Sequence, residues 1–474
     1  MYNTKGVLKK IKEYSGKLKK GSKNIAIILA AGHGKRIKSN TPKVIHPVWG
    51  VPSVLRVSRA VSEGLESPNI IVVVGIKAEM VMDIVGKKEK AIFVYQKEQK
   101  GTGHAVQSAM SALKNVPLKH LNIFTFPGDM GLLDSKTVAD FASTFEKSRT
   151  DMMTLPGKYE GPAEQNYYGR VIRAPDGPFC GDVIEILQHK DILGMQPHAP
   201  HKVYYKGKIF EFTRKELLET PEFDSGIFAF CGDALAKYIK RLKPENVQKE
   251  IYLTDIIRLF IQAGLTVGAA EPANSEVLLG FNNKSTLERM ESIARRNYYN
   301  VLKDIISIED DERFFISENV IQDILRMDKT SGPLDIEVGE GCYISSGVKL
   351  NCGVSIGRDA VLDGNIKFGK NVKVGSGTRL LTFPDQTMVI GDGVEILEGN
   401  LIKGNVTLGT NVRIETGVHI TGSYNYPTKI GDRCLIKGTT YIFGCTIEED
   451  NWILHSVLVQ KYIRKVKNKD GTVQ

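Results

Sequence analysis

Between Ile27 and Pro52 the chain reads IILAAGHGKRIKSNTPKVIHPVWGVP. An apolar run suited to a buried strand gives way to Gly32 and Gly34, and Arg36 and Lys43 follow. Glycines directly after a strand let backbone N–H groups approach a ligand with no Cβ in the way. A planar guanidinium fork suits phosphate oxygens, and an ammonium adds a compact charge. This order of residues points to a phosphate. It is not a Walker loop, because Gly34-Lys35 is followed by Arg36 and position 29 is Leu. Nor is it a dinucleotide fingerprint, because Ile37 stands where a third glycine is needed.

Further polar residues recur at the ends of apolar runs. Asp129 closes FPGD, Asn282 lies in GFNN, and Gln96 precedes the turn Gly101-Thr102-Gly103.

LAAGHGKR…TPKVIHPVWGVP resembles the signature of the sugar-nucleotide pyrophosphorylases, a nucleotidyltransferase family. Within it the chain is similar to the bifunctional UDP-N-acetylglucosamine pyrophosphorylase/glucosamine-1-phosphate acetyltransferases. The resemblance continues in order through QKEQKGTGHAVQSA (96–109), PGDMGLL (127–133), YYGRVIR (167–173), ILQHKD (186–191), DSGIFAF (224–230), EIYLTDII (250–257) and GFNNKSTLERME (280–291). It implies a uridylyltransferase acting on UTP and a sugar-1-phosphate, with Arg36 and Lys43 as catalytic cations. Ala31, Gly32, Gly34, Gln96, Gly101 and Thr102 fall on nucleotide-side positions, and Gly169, Gln188, Asp224 and Thr254 on sugar-side positions. Asp129 and Asn282 match the pair that holds a divalent cation, Mg²⁺.

The match has departures. Acetamido-sugar enzymes usually carry Glu where Gln188 stands and Asn where Asp224 stands, and Tyr where Pro127 stands. The segment 192–222 is longer than is typical of the family. The two swaps change the hydrogen-bond inventory of the sugar pocket. They leave open which sugar-1-phosphate is used.

Composition bounds the rest. The net charge of +10 suits anionic ligands and does not demand nucleic acid, because much of the excess lies in residues 1–23 and 461–469. Residues 1–23 hold eight lysines and one glutamate, without the apolar stretch of a secretory signal, and read as a solvated basic tail. No apolar run reaches about 18 residues, so no membrane span is expected. Cysteines at 180, 231, 342, 352, 434 and 445 form no CxxC pair and read as reduced thiols of a cytoplasmic protein.

Strand-like runs at 25–30, 70–75, 91–96, 122–128 and 226–230 alternate with amphipathic stretches such as Val54–Gly64 and Gly103–Leu113. This predicts a Rossmann-like α/β domain with a mixed sheet over 24–283. A helical linker is expected over 284–330. From Val338 apolar residues recur every six positions to Leu380, then from Ile390 to Ile420, then from Ile430 to Ile442. Seven of these positions are followed by glycine, beginning with Val338-Gly339. A hexapeptide period predicts a left-handed parallel β-helix over 331–460, with two ten-residue steps leaving as loops, and a basic tail over 461–474.

The family architecture implies a homo-oligomer, a trimer built through the coil. In the bifunctional relatives the coil acetylates with a histidine base. Here only His419 and His455 lie in the coil, and both read as surface residues, so acetyltransfer is not expected. A non-catalytic scaffold of the same architecture is the rival reading. Retention of Arg36, Lys43 and Asp129 favours the enzyme.

Overall fold

The computed structural model describes residues 4–32, 34–66, 68–196 and 198–465. The chain divides into two compact units, Met1–Met290 and Glu291–Gln474.

In the first unit, seven strands form one sheet: β1 (Asn24–Ala30), β2 (Asn69–Val74), β3 (Ala91–Tyr95), β4 (Asn122–Pro127), β5 (Met152–Thr154), β6 (Phe228–Cys231) and β7 (Val267–Ala269). Their order is β7-β5-β6-β4-β1-β2-β3, with β6 antiparallel to both neighbours and the other pairs parallel. β1 pairs with β2 on one side and β4 on the other. Their apolar runs have no polar face because helices cover both sides. α2 (Ser53–Gly64) packs on α5 (Ser135–Ser148), and α4 (Thr102–Ser111) packs on β1 and β2. The crossover brings the carboxyl ends of β1 and β4 side by side, where the Gly128 N–H donates to the Leu29 carbonyl at 3.0 Å. Such a switch point is where open α/β sheets hold ligands. A four-stranded sheet (Gly157–Lys158, Arg170–Arg173, Val183–Leu187 and Glu222–Phe223) places Gly169, Gln188 and Asp224 at its strand ends, and 201–205 and 208–212 form a hairpin in the long segment.

The basic N-terminal segment is docked and is not a free tail, although most of its lysines are exposed. Residues Thr4–Tyr14 form α1, whose Val7 is buried and whose Lys10 and Tyr14 both bond Asp83 of α3 (Ala78–Val85). The chain then pairs along the start of β3 and the residues before it, with the Gly16 N–H on the Ala91 carbonyl at 2.7 Å and the Lys17 N–H on the Glu89 carbonyl at 2.9 Å. Composition hid this because the lysines outnumber the apolar residues that dock.

The second unit is a three-sided parallel coil with sheets of eight, eight and seven strands. Every in-phase position from Val338 to Ile442 points inward, and none is more than 7% exposed. Both ten-residue steps rejoin in register: Leu380 stacks on Ile402 and Ile390 on Leu408, while Ile420 stacks on Ile442 and Ile430 on Ile447. His419 and His455 are exposed.

The coil limits differ from the expected ones. α6 (Lys284–Leu302) is helical, but Ser307–Ile308 and Phe315–Ile316 already pair with the coil, so it starts before 331. α7 (Glu318–Ser331) then replaces the third side of that first turn. At the far end the period shortens after Ile442, and Tyr462–Ile463 still pairs with Thr446–Ile447. The expected tail of 461–474 thus takes in the last strand, and residues 466–474 lie outside the described ones.

Two outcomes follow for this unit. At Gly404 φ is +86°, and a Cβ would overlap the Gly422 carbonyl oxygen. Gly404→Ala should therefore cost about 2 kcal/mol or more, read as a lower unfolding midpoint of the coil; an unchanged midpoint would contradict this packing. Glu309 accepts from Arg358 and from the Glu340 N–H, and the Arg358 bond foremost lowers its pKa from 4.5 to about 2. Because the folded value is depressed, this contribution is present above pH 4.5 and is lost as pH falls toward about 2. Glu309→Gln should flatten that acid limb of stability and leave neutral stability little changed, since the pair is exposed.

Candidate active site

The loop leaving β1 makes the first half of the site. Ala31 is buried, and a Cβ on Gly32 would meet open space. Gly34 has φ +65°, and a Cβ there would lie 2.6 Å from the Lys43 Cβ. Its glycine is required by the close passage of Lys43 as well as by the left-handed backbone. Arg36 sits in a short helical turn, and its Nη2 donates to the Asn282 Oδ1 at 3.2 Å. Lys43 Nζ donates to the same oxygen at 2.9 Å and is ion-paired with Asp129. The Lys43 and Asp129 side chains are only 17% and 13% exposed, so the pair is largely removed from water. Asp129 is placed by the end of β4 and Asn282 by the turn before α6. The four predicted charged and metal-side residues thus meet at one point, from chain segments up to 246 residues apart.

Asp129 and Asn282 present two oxygens to one ammonium, which marks a spot where both face positive charge. Among the described residues no group of three or more His, Cys, Asp or Glu could hold a metal. This donor set fits a cation that draws its other ligands from water and phosphate, as Mg²⁺ does, and not a closed protein cage.

The second half is the turn after β3. Gln96 is buried, and its amide nitrogen donates to the Gly101 carbonyl at 3.1 Å and lies 3.1 Å from His104 Nδ1. That nitrogen is committed to shaping the turn. Gln99, not singled out by sequence, bonds back to the Gln96 carbonyl at 3.0 Å. Gly101 has φ +108°, and any Cβ would strike the Ile251 carbonyl oxygen. The Thr102 hydroxyl accepts from the Leu253 N–H at 3.1 Å, and the neighbouring Thr254 hydroxyl is buried without a hydrogen-bond partner.

On the sugar side, Gln188 Nε2 donates to Asp224 Oδ2 at 3.3 Å, and the Asp224 N–H donates to the Gly169 carbonyl at 2.9 Å. A Cβ on Gly169 would crowd Gln188 Nε2 at 3.0 Å. The two departures from the family pattern therefore form one touching pair: carboxylate and amide have changed places across it. Burial holds the Asp224 carboxyl above the usual carboxylate range, against the opposing bond from the Gly226 N–H.

Two further residues brace the site. Arg170 is fully buried, with its guanidinium on the carbonyls of Asn166 at 2.8 Å and Leu218 at 3.2 Å, and burial lowers its pKa to about 10. Tyr168 packs its ring, tilted by 32°, against Phe223 and donates to the Gly280 carbonyl at 2.6 Å, next to Asp129. Both lie in YYGR, so the motif was visible, but their bracing depends on residues distant in sequence.

Residues 26–205 match the family model of the MobA-like NTP transferase domain. The chain is 29% identical over 457 residues to the bifunctional protein GlmU of Acetivibrio thermocellus, covering 94% of this chain and 85% of that protein. It is 34% identical over 300 residues to the bifunctional protein GlmU of Clostridium tetani, covering 63% of this chain and 58% of that one. With the bifunctional protein GlmU of Caldanaerobacter subterraneus subsp. tengcongensis the identity is 30% over 359 residues, covering 74% and 70%. The chain is a nucleotidyltransferase and belongs to the sugar-nucleotide pyrophosphorylase family of the GlmU type.

Proposed function

We propose that the chain is a Mg²⁺-dependent uridylyltransferase that makes UDP-N-acetylglucosamine or a related UDP-sugar from UTP and a sugar-1-phosphate. The observation that carries this reading is the meeting of Arg36, Lys43, Asp129 and Asn282 at the sheet's switch point. A sugar-1-phosphate is mostly dianionic at neutral pH, its second pKa being about 6, so no base is needed to free its attacking oxygen. That oxygen forms a bond to the α-phosphorus of UTP, and the bond to the β-phosphate oxygen breaks to release pyrophosphate. The difficulty is bringing one anion in line against another, and this leaves positioning and charge neutralisation to the protein.

Lys43 would face the α-phosphate, and the Arg36 fork would hold the outer phosphates. Asp129 and Asn282 are the residues that would hold Mg²⁺, which when bound supplies further neutralisation of the triphosphate. The Gly101–Thr102 turn would read the base, and Gln188 and Asp224 would orient sugar hydroxyls. The coil would serve as the trimerisation module, without acetyltransferase activity.

The test is pyrophosphate release with UTP and Mg²⁺ across a panel of sugar-1-phosphates. Turnover is expected with N-acetylglucosamine-1-phosphate or a close relative. Lys43→Ala and Asp129→Ala should each lower it about a hundred- to a thousandfold. No release with any member of the panel would reject the enzyme. A second outcome concerns the exchanged pair. Gln188→Glu sets two carboxylates against each other and should lower kcat/KM for the sugar-1-phosphate about tenfold or more. Adding Asp224→Asn should restore most of that loss; additive losses would show that the two residues do not act as a pair.

A further inference from the structure

Beside the Lys43 cluster, the loop 159–168 and the first turns of α6 enclose a cavity of about 240 Å³. Arg36, Tyr159, Tyr168, Asn282, Thr286 and Arg289 line it. Among the described residues, the two guanidiniums are its only charged lining groups, and no carboxylate joins them. Several of the wall hydroxyls are already committed. Tyr168 donates to the Gly280 carbonyl, and the Thr286 hydroxyl bonds the Asn282 and Asn283 backbone. Arg36 uses one N–H on Asn282. Arg289 lies 5.5 Å from the Tyr159 ring centroid and gives one N–H to its hydroxyl at 3.4 Å, a long bond. Each guanidinium has five donors in a planar fork, so most of the donors these two groups offer are unspent. Two such forks around one open cavity are matched by an anion rich in acceptor oxygens.

We propose that this cavity is a second phosphate subsite, contiguous with the Lys43–Asn282 cluster, with Arg289 as its outer clamp and Arg36 shared between the two. The proposal rests on the nucleotidyltransferase reading and adds to it a binding residue on α6. The phosphate belongs either to the pyrophosphate that leaves or to the sugar-1-phosphate that enters, since both present the same dianionic oxygens.

The experiment is calorimetric titration of the intact chain, without UTP, with inorganic pyrophosphate, N-acetylglucosamine-1-phosphate and inorganic phosphate as probes. Arg289→Ala should weaken at least one probe about tenfold, and Arg289→Lys should recover part of the loss. Lys284→Ala removes a charge close to the cavity but outside its lining, and should leave all three within twofold. Loss confined to pyrophosphate assigns the cavity to the leaving group, and loss confined to the sugar phosphate assigns it to the incoming substrate. If Arg289→Ala binds every probe like the unaltered chain at an unchanged unfolding midpoint, the subsite is rejected. It is equally rejected if Arg289→Lys is no better than Arg289→Ala and both lower that midpoint. Because binding is read without turnover, failure here is separable from absence of pyrophosphate release.

Discussion

The largely buried ion pair of Lys43 with Asp129, tied to Asn282 by the same ammonium, is the constraint on which the catalytic unit is built. A charge withdrawn from water is costly unless it is paired and hydrogen-bonded. Here the pairing draws together the loop after β1, the end of β4 and the turn before α6. Removing any one partner would leave the others exposed to that cost. Gly34 has to be glycine for Lys43 to pass, and Gly128 bonds the Leu29 carbonyl so that Asp129 emerges beside the loop. Tyr168 bridges from the smaller sheet to Gly280 and so ties that sheet to the same cluster.

The Lys43 ammonium is held between the Asp129 carboxylate and the Asn282 amide oxygen. On the proposed function, the cation expected to face the α-phosphate is thus the one paired with the residues that would hold Mg²⁺, and a metal bound there would add its charge to that of Lys43 in a reaction that sets two anions against each other.

How much of this was legible in the sequence varied with how local the physics is. The coil was readable because each side needs one inward apolar residue and a tight corner, and all the in-phase positions are buried. Its ends were not. α7 interrupts the first turn, and beyond Ile442 the step shortens, so the period no longer marks the register. The central strands were plain from their apolar runs, whereas the docking of α1 rests on a few apolar residues among many lysines. Arg36, Lys43, Asp129 and Asn282 were found as members of motifs. The reason for Gly34, the contact of Gln188 with Asp224 and the cavity at Arg289 depend on residues brought together only by the fold, and no spacing announces them.

The most direct measurement is titration of UTP without metal into the unaltered chain and into Asp129→Asn. If Lys43 is held by Asp129, losing the carboxylate's charge frees the ammonium and removes a repulsion, so metal-free UTP should bind Asp129→Asn about three- to tenfold more tightly, while Mg²⁺-dependent turnover is lost. Metal-free binding that is unchanged or weaker in Asp129→Asn would contradict a site organised around that ion pair.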